Sequence, residues 1–227
     1  MSREVVGSMS DWAGMLSDFF RQIKDGSIKQ SHLQALLEHR NPFEIDVPVL
    51  LVDWQNFYRD LFGLNLDFSE LAVPPRRQGF DHLIVVARGM TPQQLYDKCS
   101  ELFRCWKWTD KNLDKIVQSD RTAEHGHYAV WLRDRQEADE ELKNLSADQL
   151  KQKGIPGIAL EERELYELKF FKETGDHLDK KVWTLCSGSR YSGGGVPSAD
   201  WSGGFRVRWS YSDDASGGLR SRAAVSL

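Results

Sequence analysis

Residues 186–227 change the chemistry of the chain abruptly. They hold ten serines and eight of its eighteen glycines, and no Lys, Glu, Gln, Asn, Met, His, Thr or Ile. Glycine and serine at this density suit a flexible tail. A disordered tail, however, favours Lys, Glu, Gln and Pro and avoids aromatics, and here the apolar residues keep register. In "FRVRWSYS", Phe205, Val207, Trp209 and Tyr211 alternate with Arg206, Arg208, Ser210 and Ser212, the period of a strand with one apolar face. "LRSRAAVSL" alternates as well, with Leu219, Ser221, Ala223, Val225 and Leu227 on one side. The tail is therefore expected to be a folded sheet with short loops. Its remaining Tyr, Ser, Gly, Asp and Arg residues are the mixture that antibody loops use for adaptable contacts. Gly/Ser-rich turns are also common in ordinary β proteins, so composition alone leaves a binding surface as one of two readings.

Upstream, 40% hydrophobic and 11% aromatic residues supply a core, and a net charge of −4 creates no global field towards nucleic acid or membrane. "SDWAGMLSDFFRQIKDG" reads as a helix with Ser10 or Asp11 as cap, Trp12, Leu16, Phe19, Phe20 and Ile23 on one face, and Gly26 as stop. "IKQSHLQALLEHRNP" reads as a second helix ended before Pro42, completing a hairpin that would dock on its own domain or tether a partner. "VPVLLVDW" reads as a short buried strand leading into a helix through Trp54, Phe57, Tyr58 and Leu61, and "VPPRRQG" as a linker. Beyond it, "DHLIVVAR", "HYAVWLRD" and "KKVWTLCS" are expected strands, and "TPQQLYDKCSELF" is a helix capped by Thr91 with Pro92 at its first position. The charged run from Arg135 to Gly154 reads as a solvated helix. "LEERELYELKFFKETG" reads as an amphipathic helix with Leu160, Leu165, Leu168 and Phe171 inward and Gly175 at its end.

"LCSGSR", "VP", "W", "F.V.W" and "LRSRAAVSL" together form a frame. This frame resembles the C-terminal variable region of proteins diversified by diversity-generating retroelements, in which a reverse transcriptase miscopies template adenines and the altered copy replaces the end of the target gene. The resemblance is close over residues 185–227, looser over the segment from His127 to Asp179, and absent over residues 1–78. It implies an α+β protein with a mainly helical N-terminal region (1–78) and a C-type-lectin-like domain (79–227) whose variable region spans about 186–227. It also implies a non-enzymatic binding surface for a protein or other macromolecular ligand, with no cofactor. The variable positions carried over are Tyr191, Ser192, Gly194, Ser198, Asp200, Ser202, Gly203, Arg206, Arg208, Ser210, Tyr211, Ser212, Asp213, Asp214, Ser216 and Gly217. Trp201, Phe205, Val207, Trp209, Leu219, Arg220 and Arg222 are carried over as scaffold. The composition agrees: mutating both adenines of an asparagine codon never yields Lys, Glu, Gln, Met or Trp. The first four are absent from the tail, and Trp201 and Trp209 fall in the frame. No Glu-Pro-Asn or Gln-Pro-Asp tripeptide of calcium-dependent sugar binders occurs.

Rival chemistries have weaker patterns. Cys99, Cys105, His125 and His127 match no strong zinc spacing. Asp53 reads either as a helix cap or as a catalytic carboxylate at a strand end. Gly193-Gly194-Gly195 lacks the Lys and Ser/Thr of a phosphate loop. The five tail arginines against three aspartates make a short, weak nucleic-acid signal. Three scattered cysteines suit a reduced compartment. "MSREVVGSMSDWAGM" has no apolar core of signal-peptide length, and no stretch reaches the ~20 apolar residues of a membrane span. The expectation is a cytoplasmic protein, with surface display by another route left open.

Overall fold

The computed structural model describes residues 9–24, 28, 30–39 and 46–227. The chain divides between Asp46 and Val47 into two compact units, earlier than the boundary read at "VPPRRQG". The first unit contains α1 (Met9–Lys24) and α2 (Gln30–Leu37). Helix α1 already includes Ser10 and Asp11 in its first turn, and Trp12, Leu16, Phe20 and Ile23 are exposed. The stops expected at Gly26 and Pro42 lie outside the described residues.

The second unit opens with α3 (Val47–Phe62), so "VPVLLVDW" is helical and not a strand. Proline is tolerated in a first helical turn, and a short apolar run carries no periodicity that separates strand from helix. The faces settle the matter: Val49 and Val52 point to solvent, while Trp54, Phe57 and Tyr58 are buried. Their polar ends tie α3 to β1 (His82–Val86), with Trp54 Nε1 donating to Leu83 O at 3.0 Å and Tyr58 Oη to Val85 O at 2.8 Å. Strand β1 pairs antiparallel with β4 (Tyr128–Leu132). The expected linker is packed against this pair. Pro74 is buried, and its carbonyl accepts from Trp131 Nε1 at 2.8 Å.

Helix α4 (Pro92–Leu102) starts as its sequence requires, with Thr91 and Gln94 bonding reciprocally across the first turn. The charged run is not one solvated helix. It forms a single 3-10 turn (Glu140–Leu142) and the short α5 (Ala147–Gln152), because Ala138, Leu142, Ala147 and Leu150 are pulled into the core.

Helix α6 (Leu160–Thr174) ends at Gly175 with φ 71°, a left-handed cap that favours glycine. It is buried on every side from Leu160 to Lys169, charged residues included, and so departs from the expected amphipathic pattern. The charges survive burial because they are paired. Arg121 donates to both Glu162 oxygens at 2.7 and 2.8 Å. Arg163 bonds Glu167 at 2.8 Å and Asp179 at 2.9 Å. Lys169 pairs with Asp53 and, at 2.8 Å, with Glu173.

Two carboxyls on α6 are less well matched. Burial and the adjacent Glu162 charge push Glu161 up to about 7 against hydrogen bonds from its own backbone amide and from Ser119 Oγ. Its folded-state pKa lies above the unfolded value, so its stabilising contribution is full below about pH 4.3 and is lost as pH rises through 7. Urea unfolding should give lower stability at pH 8 than at pH 5.5, by about 2 kcal/mol. Glu161→Gln should flatten that dependence. Glu164 is fully buried with neither carboxyl oxygen partnered, and burial raises it well above the carboxylate range. Glu164→Met should therefore raise stability by about 1–3 kcal/mol in the same measurement.

Against α6 lies a five-stranded sheet in the order β2-β8-β7-β5-β9. Its strands are β2 (Cys105–Lys107), β8 (Phe205–Ser210), β7 (Val196–Trp201), β5 (Trp183–Leu185) and β9 (Leu219–Ser221). The pairs β7–β8 and β5–β7 are antiparallel; β2–β8 and β5–β9 are parallel. A separate pair joins β3 (Val117–Ser119) to β6 (Ser189–Tyr191). The architecture is α+β, and the tail is sheet as its alternation predicts. Past β9 the chain is buried on both sides through Val225, bridged to Gly157 and Trp131.

Candidate functional site: the open face of the β7–β8 hairpin

The register of β7 against β8 sets Asp200 opposite Arg206 and Ser198 opposite Arg208, on one face, and Ala199 opposite Val207 on the other. Side chains of paired residues share a face. Phe205 and Val207 are buried, and the Arg163 guanidinium of α6 lies 5.5 Å from the Phe205 ring centre. The opposite face carries the polar set, as the alternation predicts for Arg206 and Arg208.

Asp200 organises that face. Its side chain is 2% exposed, and its oxygens accept from Arg206 Nε at 3.1 Å and Arg208 Nε at 2.9 Å. One buried carboxylate thus holds two guanidiniums whose outer faces stay open. Ser198 Oγ bonds Ser210 Oγ at 2.9 Å beside it. Arg208 also lies 5.0 Å from the Trp183 ring centre and 6.0 Å from that of Trp106, a cation–π geometry that fixes its direction.

The sixteen carried-over positions divide by depth. Tyr191, Ser198, Asp200 and Ser210 are buried and support the surface from beneath; Tyr191 Oη donates to Arg208 O at 3.2 Å. Arg206, Arg208, Ser212 and Asp214 are half-buried. Ser212 Oγ donates to Asp148 Oδ2, and Asp214 Oδ2 accepts from Tyr211 N, both at 2.8 Å. Ser192, Gly194, Ser202, Gly203, Tyr211, Asp213, Ser216 and Gly217 are exposed. The exposed ones occupy turns at the two ends of the hairpin.

Two expectations for the frame are corrected. Tyr211 lies beyond the end of β8 and is 63% exposed, so it does not continue the apolar face. Trp209 is half-buried rather than enclosed, with its ring over Gly195. A Cβ on Gly195 would fall 2.0 Å from Trp209 Nε1, so this glycine makes room for the indole. Arg222 is deeply buried scaffold as expected, and Arg220 pairs with Glu140.

The face also recruits residues that the sequence did not single out. A groove of about 410 Å³ is walled by Trp106, Trp108, Trp183 and Trp209, with Arg208 and Asp214 at its rim. A second depression of about 290 Å³ lies across Trp106, lined by Arg104, Arg206, Ser202, Gly203 and Gly204. The parallel pairing of Trp106 with Arg206 and the β5–β7 pairing of Leu185 with Ser198 bring these tryptophans to the tail. For two of them, Trp106 and Trp108, the alternation in "RCWKW" is the sequence signal that points to one shared face.

The rival sites do not assemble. Asp53 sits within α3, neither capping a helix nor ending a strand, and its carboxylate is bound by Lys169. Cys99 is buried in α4, where burial holds its thiol far above the usual range, and Cys105 is pushed up to about 12 by the same cause. The His125 side chain is 91% exposed, and His127 Nδ1 accepts from Arg88 N at 2.9 Å. Among the described residues, no group of three or more His, Cys, Asp or Glu is arranged to hold a metal ion, and no helix is long and apolar enough to cross a membrane. Comparison of the chain with protein-family models, with characterised proteins and with solved structures returns no match.

Proposed function

We propose that this chain is a non-enzymatic ligand-binding display protein with a C-type-lectin-like domain. Its C-terminal surface would be diversified by retroelement-directed mutagenesis to bind a protein or other macromolecule. One observation carries the reading: tail residues of the reachable types cluster in exposed turns and on one open sheet face, while the frame residues Phe205, Val207 and Leu219 are buried. A surface free to vary must be separable from the packing that holds it, and the strand period turns Arg206 and Arg208 away from Phe205 and Val207. Small polar residues around aromatic anchors also match the composition of adaptable paratopes.

The test exchanges Ser192, Ser202, Tyr211, Asp213 and Ser216 together for other amino acids reachable from asparagine codons. Each site should change stability by within about 0.5 kcal/mol, leaving the thermal midpoint within a few degrees. Exchanging Ser198 and Asp200 should cost more, since both are buried and hydrogen-bonded. Unfolding of the exposed-turn variant would defeat the proposal. In the neighbouring DNA, the proposal expects a reverse-transcriptase gene with an imperfect repeat of the tail's coding sequence, mismatched at template adenines.

A further inference from the structure

The walls of the groove come from outside the tail. Trp106, Trp108 and Trp183 precede residue 186, as does Arg104 in the second depression. If residues 186–227 vary, these four do not vary with them, so a constant aromatic and cationic element lies beside every version of the surface. We infer that this element sets a shared ligand class, an acidic peptide segment with an apolar or aromatic side chain a few residues from a carboxylate. The inference rests on the display reading above and names the ligand chemistry of the same face.

Charge and shape carry it. The chain as a whole has a net charge of −4, yet the depression beside Trp106 holds Arg104 and Arg206 and no carboxylate among its lining residues. The nearby Asp200 is already committed to Arg206 and Arg208. Arg104 is exposed, and while its carbonyl accepts from Phe205 N at 2.8 Å, its guanidinium makes no hydrogen bond or ion pair among the described residues. An incoming carboxylate meets guanidinium donors there, in the geometry that favours charge-assisted bonds. Across Trp106, the four-tryptophan groove excludes water from an apolar side chain and supplies the aromatic anchors typical of binding hot spots. Both hollows touch Trp106, which places the two ligand groups about two to four residues apart in an extended chain. A nucleic acid fits less well, because the hollows offer only Arg104, Arg206 and Arg208, and Asp214 lines the groove beside Arg208, against phosphate.

The experiment pans a phage library of random octapeptides on the immobilised full chain, then measures a synthetic copy of the most enriched peptide by fluorescence anisotropy. The expected result is enrichment of Asp or Glu within about four residues of Trp, Phe or Leu. Arg104→Ala and Trp106→Ala should each weaken binding of that peptide about tenfold or more, and Arg104→Glu further. Arg104 is exposed and Trp106 is 50% exposed, so the melting curves should hold; the two Arg104 variants suffice if Trp106→Ala does not fold. The inference is overturned by absence of enrichment, by apolar enrichment without acidic residues, or by an acidic preference that survives Arg104→Glu. It is equally overturned if a dT20 oligonucleotide binds more tightly than the peptide and falls off steeply with salt. Failure in any of these ways, with exposed-turn exchanges still tolerated, leaves the display reading standing. Unfolding on those exchanges, with acidic peptides still bound, defeats the display reading and not the groove.

Discussion

Arg222→Ala is expected to lower the free energy of unfolding by about 3–5 kcal/mol, the usual cost of removing one member of a buried charged network. The Arg222 guanidinium is almost wholly enclosed and spends its donors on four partners. Nη2 reaches Asp179 Oδ1 at 2.7 Å and Gln136 O at 2.8 Å, Nη1 reaches Arg135 O at 2.8 Å, and Nε reaches Thr184 Oγ1 at 3.1 Å. The ring of Tyr166 lies beneath it, 5.1 Å away. Truncation would take one cation from Asp179, which would keep only Arg163 and the Thr184 hydroxyl, and would strip one donor each from Arg135 O and Gln136 O, which keep Tyr166 Oη and Asp179 N. Arg222→Lys should recover little, because an ammonium cannot reproduce the fork that meets two carbonyls and a carboxylate at once. Urea unfolding monitored by tryptophan fluorescence reads the effect. A loss under about 1 kcal/mol for Arg222→Ala would show that the tail is not fastened to Arg135, Gln136 and Asp179 through this residue.

Phe205→Ala should cost a similar amount, about 3–5 kcal/mol, as for other fully buried aromatics. Phe205 is inaccessible to solvent, faces α6 under Arg163, and lies 6.3 Å from Phe103, ring centre to ring centre. Its neighbour in the frame behaves differently. Trp209 stands half-buried at the groove wall, so Trp209→Ala should cost less than about 2 kcal/mol by the area it covers, and its larger effect should be on ligand binding. The pair of variants compares the buried end of one strand face, at Phe205, with its half-open end, at Trp209. If Trp209→Ala is the more destabilising of the two, Trp209 serves the core and not the groove wall.

Where the sequence was legible, a single local rule sufficed. Thr91, Pro92 and Gln94 start α4 because their bonds close within one turn. Gly175 ends α6 because its φ of 71° is costly for other residues. The alternation from Phe205 to Arg208 reports which face is buried, since a strand has a period of two. Asp200, by contrast, looked like one more variable surface residue until the β7–β8 register set it between two arginines. Likewise, "VPVLLVDW" gave no sign of helix, because its apolar residues serve two faces of α3 and mask the period.

What the sequence by itself determined is therefore the local grammar of the tail: a strand with an apolar and a polar face, bounded by glycine- and serine-rich turns. Only the tertiary structure decided what that grammar acts with. Helix α6 reads as charged and half-solvated, yet is buried, because its partners Arg121 and Asp53 lie far away in the chain and Asp179 folds back onto it from beyond its end. The tryptophan groove exists because strands distant in sequence, β2 and β5, flank the hairpin in one sheet. Sequence periodicity records which side of an element leaves water. It carries no record of which distant element covers that side, and both the buried charges and the aromatic walls depend on that pairing.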